Sequence, residues 1–495
     1  MGTLAQMLAS ADPDAVALVE PERAGSAVTY GQLRSAVEAL AVDLARHGVR
    51  RGSIVGVWLP TCVDAVVWQF AVASLGAAVL GINTRYGVHE LKHLLSIAKP
   101  ACVAMPADFL GRDFAGMLGE SGYPPPAVAT VDVAGPPRLP YWSGGSVVGL
   151  SVGQLEDPVN YFTTSGSTGL PKLAEHDQRS VVRHAANAAA AFDIRRGDFV
   201  LAALPLAGVF GFNTVMAALS AGAACVMQQV FSTADTIEQL QAYEISHVLA
   251  GDDLLGRLLD AWQQHPVGFP AWRCAGVADF AGRSAEIAEW VETLGARFTG
   301  LYGASEVFAL LARWPSDRPL EIRRKAGGVP ISPDIQFRIA DGELQFRGYP
   351  VLTRYLGNPV ATADAFTDDG WYRSGDLGEP LDDGFAYLCR MGDALRLRGF
   401  LIQPAEIESF LVTHPAVDQA KVVGAGGEAV AFVRLNTSVA EDALVAFCRR
   451  NLAAFKVPRR IVALSEFPTT SGTNGTKVRA AELRRIAAEL LEMQT

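Results

Sequence analysis

A chain of 495 residues exceeds what one hydrophobic core usually serves, so two or more domains are expected. Half of it is apolar and 19% is charged, which excludes a disordered chain. The formal net charge of −10 argues against broad contact with a nucleic-acid backbone, although a local basic pocket for phosphates is still allowed.

The first residues, 1–14, lack a basic stretch followed by an apolar core, and Gln6 stands where a myristoylation motif wants Ser or Thr. Neither a secretory signal nor that lipid is expected. Thr29 and Tyr30 open a helical pattern that runs through Leu44 and stops at Gly48, and Ser53 to Trp58 reads as a buried strand. A helix from Ala65 to about Leu75 and a strand from Ala77 to Gly81 follow. The apolar stretches Ala65 to Ile82 and Phe199 to Met227 are long enough to raise a membrane span. Gln69 and Gly76 interrupt the first, and Pro205, Gly208, Gly211 and Asn213 the second. Both are therefore expected as buried elements of an α/β core, with no transmembrane segment. Leu75-Gly76-Ala77-Ala78-Val79 is echoed by Ala221-Gly222-Ala223-Ala224-Cys225, which supports two similar layered lobes in which small residues let helix and sheet approach.

Between Gly327 and Tyr387 the texture changes. Ile335 to Ile339, Glu343 to Arg347 and Phe385 to Leu388 read as short strands separated by Gly, Asp and Pro, which predicts a twisted antiparallel unit or small barrel. Beyond Met391 a smaller α+β unit begins. Pro404 to Leu411 and Glu441 to Asn451 are helical, and Lys421 to Gly424 and Ala429 to Leu435 are strands. The expected fold is α/β: an N-terminal domain, 1–390, of two layered lobes plus a β-barrel-like unit, then a small α+β domain, 391–495. The six cysteines, Cys62, Cys102, Cys225, Cys274, Cys389 and Cys448, form no CxxC pair, so neither a disulfide framework nor a zinc site is expected. A reducing, cytoplasmic setting fits.

Five segments carry chemistry. Thr163-Thr164-Ser165-Gly166-Ser167-Thr168-Gly169-Leu170-Pro171-Lys172 is a loop rich in glycine and hydroxyls that ends in a lysine. Its glycines permit close backbone approach to an anion, its hydroxyls donate hydrogen bonds, and Lys172 brings charge to phosphate oxygens. A surface turn is the bland alternative, and the order of residues departs from the GxxxxGK[ST] loop. Tyr302-Gly303-Ala304-Ser305-Glu306 offers a flat ring for a base and a carboxylate for a hard cation. Trp371-Tyr372-Arg373-Ser374-Gly375-Asp376 presents a carboxylate able to accept two hydroxyl hydrogen bonds. Arg390-Met391-Gly392-Asp393-Ala394-Leu395-Arg396-Leu397-Arg398-Gly399 and Asn474-Gly475-Thr476-Lys477-Val478-Arg479 complete the set. Each alone has a bland reading as a polar turn.

In this order and spacing, from about Thr29 to Arg479, the segments resemble the signatures of the adenylate-forming superfamily, which includes acyl-CoA synthetases, luciferases and peptide-synthetase adenylation domains. The resemblance implies an ATP/AMP site of Thr164, Ser165, Gly166, Ser167, Thr168, Gly169, Lys172, Tyr302, Gly303, Ser305, Glu306, Asp376 and Arg390. Tyr302 would stack on adenine, and Asp376 with Arg390 would hold the ribose. Thr168 and Glu306 would serve magnesium, and Lys172 and Lys477 would be catalytic. It further implies that the C-terminal domain is mobile about a hinge at Gly392, where Asp or Lys is commoner. Arg396, Arg398 and Gly399 are candidates for coenzyme A contacts, with solvated arginines as the alternative.

The same resemblance places an acyl pocket around Gly208, Phe210, Phe212, Val215, Val277, Val307 and Phe308. Many related synthetases carry a bulky aromatic or histidine at Gly208, and no buried acid follows to meet an α-amino group. The expectation is an AMP-forming fatty-acid–CoA ligase for a medium or long chain, using ATP, magnesium and coenzyme A. The alternatives are an aryl or alicyclic acid, loading of a separate acyl-carrier protein, and a degenerate nucleotide-binding sensor or scaffold. A homodimer is a family expectation only. No cysteine nucleophile or histidine triad is needed, and the histidines are read as structural or surface residues.

Overall fold

The computed structural model describes residues 2–23, 27–135, 141, 152–164, 171–280, 282–393, 395–397, 400–402, 404–425, 428–452, 456–472 and 475–492. Its first large sheet has six strands, in the spatial order Ala127–Val131, Cys102–Pro106, Ile54–Val57, Ala78–Gly81, Pro158–Thr163 and Leu173–Asp177. All neighbours are parallel except the last pair. Parallel pairing requires crossover helices on the sheet faces, which is why these strands read as continuous apolar runs.

The second sheet has thirteen strands. It begins at Ala27–Thr29, antiparallel to Val16–Val19, and its parallel part runs Val16–Val19, Ala224–Met227, Phe199–Ala202, His247–Gly251, Cys274–Ala278 and Arg297–Ala304. It continues antiparallel through Phe308–Arg313, Gly327–Pro330, Gly384–Arg390, Tyr372–Leu381, Glu343–Arg347 and Gln336–Ala340. The barrel-like unit expected between Gly327 and Tyr387 is thereby corrected. Its strands extend the second sheet, and among the described residues Gln336–Ala340 is an open edge that closes on nothing. The cause is the strand Gly327–Pro330, whose two edges are spent on Phe308–Arg313 and Gly384–Arg390. That splice demands glycine: Gly328 has φ +133°, and a Cβ there would lie 2.2 Å from the Arg313 carbonyl carbon.

The helices Val63–Ser74 and Val209–Ser220 are buried almost all round, as their predominantly apolar character requires. Each fully buried Val or Phe on them contributes about 1.5–3 kcal/mol. The echo between residues 75–79 and 221–225 has a sharper cause than close packing alone. Gly76 and Gly222 take φ +70° and +71°, the left-handed stop that ends a helix before its strand. One hydrophobic cluster from Leu4 to Leu310 serves both sheets, so the two lobes share a core. No helix among the described residues is long and apolar enough to cross a membrane.

The C-terminal residues build their own core around the three-stranded sheet Val417–Ala425, Glu428–Leu435 and Arg460–Ala463. Along the middle strand the side chains alternate in period two. Ala429, Ala431 and Val433 join Leu395, Ile407 and Leu444, whereas Val430 and Phe432 meet Leu483 on the other face.

Candidate active site

The glycine-rich loop joins the two antiparallel strands that end the first sheet, with Thr163 opposite Leu173. Its mouth is closed by the Thr164 N–H, which donates to the Lys172 carbonyl at 2.9 Å. Thr164 is buried, and its Oγ1 has no hydrogen-bond partner among the described residues. Ser165, Gly166, Ser167, Thr168 and Gly169 lie outside the described residues. Lys172 Nζ sits 4.1 Å from the centroid of the Tyr355 ring, a cation–π contact. The Tyr355 hydroxyl donates to Glu306 Oε1 at 3.0 Å. One aromatic ring thus spaces the lysine of the loop from the carboxylate of the next motif. Burial first, then Glu306, pushes the Tyr355 phenol up, so it stays protonated and able to donate.

Glu306 sits in the turn between the strands Arg297–Ala304 and Phe308–Arg313. Three carbonyls around this turn are pinned by other parts of the chain. His176 Nε2 donates to Ser305 O at 2.7 Å, and the Leu352 N–H donates to Glu306 O at 2.7 Å. Ala309 O accepts from His184 Nε2 at 2.7 Å and from Asn213 Nδ2 at 3.1 Å. Ser305 Oγ donates to Thr163 O at 3.0 Å, which ties the turn to the loop strand. Phe308 and Leu310 carry φ of +60° and +61°, at a cost of roughly 1–2 kcal/mol each. Phe308 stacks between two imidazoles, with centroids 4.0 Å from His176 and 5.0 Å from His184. Contacts of this kind contribute about 0.5–1.5 kcal/mol each and offset the backbone strain. Burial drives both imidazoles down to about 4, so they are neutral near pH 7.

Tyr302 packs among Phe346, Phe385 and Tyr387, with Phe346 stacked at 5.3 Å, and its hydroxyl donates to Asp376 Oδ2 at 2.7 Å. Asp376 and Arg390 are register partners on adjacent strands. Arg390 Nε lies 3.1 Å from Asp376 Oδ1, and its NH1 donates to Ser374 O at 2.7 Å. Burial works against the Arg390 charge, yet Asp376 and its neighbours hold the guanidinium above its ordinary value.

The acyl-pocket candidates fall in two hydrophobic clusters. Phe210, Phe212, Val215, Val277 and Phe308 belong to the main core, with Phe162 edge-on to Phe212 at 5.2 Å. Val307 belongs to a separate cluster with Tyr302 and Tyr355. Gly208 caps the N-terminus of the helix Val209–Ser220. Gly392 has no positive φ, and a Cβ there meets open space. Lys477 pairs with Thr470 on the strand Gly475–Val478, which lies against the helix Asp252–Gln264. Its side chain, like that of Arg396 on Leu395–Leu397, lies outside the described residues, as do Arg398 and Gly399 entirely. Burial pushes the thiols of Cys274 and Cys389 up to about 11 and that of Cys225 to about 12, which disfavours nucleophilic thiolates there.

Residues 6–353 match the AMP-binding enzyme family, and residues 406–473 match the AMP-binding enzyme C-terminal domain. The chain belongs to the AMP-binding enzyme family. This AMP-binding enzyme is 27% identical to the 2-succinylbenzoate–CoA ligase of Bacillus velezensis, over 96% of each chain. It is also 27% identical to an indenyl-propanoyl:CoA ligase of Rhodococcus jostii, over 89% of this chain and 91% of that one. Its fold superimposes on ATP-bound MatB from Rhodopseudomonas palustris with a TM-score of 0.86 at 22% identity, covering 99% and 100% of the two chains. It falls in the acyl-CoA synthetase branch of the adenylate-forming enzymes, an acid–thiol ligase with ATP, magnesium and coenzyme A. The sensor or scaffold alternative is set aside.

The donor set of the AMP-binding enzyme fits these groups. The unpartnered Thr164 hydroxyl and the Lys172 ammonium suit phosphate oxygens. Asp376 accepts from Tyr302 and pairs with Arg390, and a carboxylate is an acceptor suited to ribose hydroxyls. Among the described residues no three His, Cys, Asp or Glu gather at one point. Glu306 would thus be a lone carboxylate for magnesium, an ion commonly held by one or two carboxylates together with phosphates and water. Motif reading missed Tyr355, His176 and His184. Tyr355 has no local signature, and the histidines are informative only once their distant carbonyl partners are known.

Proposed function

We propose that the enzyme adenylates a ring-bearing carboxylic acid, aryl or alicyclic, and passes the acyl group to free coenzyme A. The observation that carries adenylation is the meeting of Lys172, over the ring of Tyr355, and Glu306, at its hydroxyl, together with the Asp376–Arg390 pair on two adjacent strands of the second sheet. The acid carboxylate attacks the α-phosphorus of ATP, and pyrophosphate leaves. Lys172 and the loop hydroxyls, Ser165, Ser167 and Thr168 among them, hold the triphosphate, while Gly166 and Gly169 let the backbone approach it. Asp376 accepts from the ribose hydroxyls, and Tyr302 and Gly303 line the base. Magnesium, when bound, supplies positive charge to the phosphate oxygens beside Glu306. Lys477 offsets the charge of one anion attacking another. The domain 391–495 then rotates about Gly392, the thiolate of coenzyme A attacks the acyl carbon, and AMP leaves.

For the acid, the kinship with ligases whose acids carry rings supports a compact ring substrate. A fatty acid is the second reading, favoured by the predominantly apolar character of the helix Val209–Ser220. For the thiol, a cleft lined by Leu59, Asn83, Arg85, Ala207, Phe231 and Arg257 opens where strands of both sheets end. The exposed Arg85 and Arg257 on it suit the phosphates of coenzyme A better than an apolar carrier-protein patch. Six free cysteines support a reducing, cytoplasmic setting.

The test is acid-dependent AMP formation across aryl, alicyclic and fatty acids, with and without coenzyme A. Ring acids should exceed hexadecanoate at least about tenfold in kcat/KM, and the reverse order would overturn the ring reading. Lys477→Ala should fold normally and lose adenylation about 100-fold or more. Unimpaired adenylation would remove Lys477 from the mechanism.

A further inference from the structure

The polar groups around Phe308 form a directional chain whose end is the turn of Glu306. Asn187 Nδ2 donates to the Tyr349 hydroxyl at 2.9 Å, and that hydroxyl lies 3.2 Å from His184 Nδ1. Tyr349 therefore donates to Nδ1, which leaves the proton of neutral His184 on Nε2, where Ala309 O accepts it at 2.7 Å. His176 reaches the same turn from the strand Leu173–Asp177 of the other sheet, donating from Nε2 to Ser305 O at 2.7 Å. Both histidines are fully buried, and Phe308, in left-handed backbone, lies between their rings. A leucine or phenylalanine at either position could fill the same space, but only a donor satisfies the carbonyls.

We propose that His176 and His184 are positioning residues for adenylation, which hold the Ser305–Ala309 backbone so that Glu306 faces Tyr355 and Lys172. They touch no substrate, and they act through Ser305 O, Ala309 O and the ring of Phe308. This inference rests on the reading that Glu306 serves the magnesium–ATP complex. The two pins enter from different elements, His176 from a strand of the first sheet and His184 from the helix Gln178–Ala191, so together they set the turn against the first sheet and the glycine-rich loop that ends it. The hydrogen bond from Ser305 Oγ to Thr163 O is a third tie in the same direction.

The test compares His176→Leu, His176→Gln and Glu306→Gln in acid-dependent pyrophosphate release at varied magnesium–ATP, with thermal unfolding of the same preparations. His176→Leu, measured at a temperature where it is folded, should raise the KM for magnesium–ATP about tenfold, with a smaller change in the KM for the acid. His176→Gln keeps an N–H donor and should recover to within about threefold of wild type. Two results would overturn the inference: a His176→Leu enzyme that loses only thermal stability, or equal impairment in the Leu and Gln variants. Glu306→Gln separates the two levels. If it retains full activity, the reading of Glu306 itself fails. If it is inactive while His176→Leu keeps its KM for magnesium–ATP, only the positioning role fails.

Discussion

Two regions bring polar groups to the same cluster, residues 303–310 and residues 372–390, and different physics holds each. In the second, Asp376 and Arg390 face each other as register partners of one hairpin, so the strand ladder itself sets their approach. In the first, two non-glycine residues at the start of the strand after the turn carry positive φ, and the carbonyls around the turn are held by His176, His184, Asn213 and Leu352 from elsewhere in the chain. A ladder is local and tolerates small changes. A turn pinned from several directions is placed only when every pin is present and in the right protonation state.

Acid should break this contrast most strongly. Burial depresses both histidines to about 4, so as pH falls the unfolded chain takes up their protons first. Their contribution is fully present above about pH 6.5 and is lost as pH falls toward 4, on the order of 3 kcal/mol for each imidazole. Asp279, raised by burial and by Asp252 beside it, acts with the opposite sign, so the measurement must be a difference. Denaturant unfolding free energies of wild type and His176→Gln, followed from pH 7 to 5, should show a loss smaller in the variant by about 2 kcal/mol over that range. Parallel slopes would mean that His176 does not carry the effect.

Two glycines sharpen the comparison at smaller cost. A Cβ at Gly303 would lie 2.6 Å from Ala309 Cα and 2.8 Å from Phe308 O, backbone atoms that the pins keep in place. Gly303→Ala should therefore lose about 2–3 kcal/mol in denaturant unfolding. Gly375, in the hairpin region, has φ +69°, and a Cβ there meets only the Arg390 guanidinium, at 3.6 Å. Gly375→Ala should lose about 1 kcal/mol, the left-handed strain alone. Equal losses at the two sites would erase the distinction between pinned turn and ladder.

Much of the architecture was legible from local pattern. Helical and strand periods located Tyr30–Arg46, Ile54–Val57, Glu343–Arg347 and Glu441–Asn451 to within a residue or two, because each is specified by neighbours along the chain. The chemistry-bearing types in the motifs were legible as well, and the pairing of Arg390 with Asp376 stands in the hairpin register. The barrel was misjudged because short strands separated by turns look alike whether they close on themselves or extend a neighbouring sheet, and Gly327–Pro330 decides between the two by pairing across a long sequence separation.

By itself, the sequence determined a layered α/β chain with glycine- and hydroxyl-rich loops suited to an anion, since glycine geometry, hydroxyl-rich turns and apolar periods act over a few residues. The nucleotide role of those loops is what their resemblance to the adenylate-forming superfamily implied. Only the tertiary structure decided that Tyr355 spans Lys172 and Glu306, and that His176 and His184 clamp Phe308. His176 and Ser305 are separated by 129 positions, and His184 and Ala309 by 125. Contacts at such separation depend on which sheets and helices pack together, and a local pattern carries no record of that.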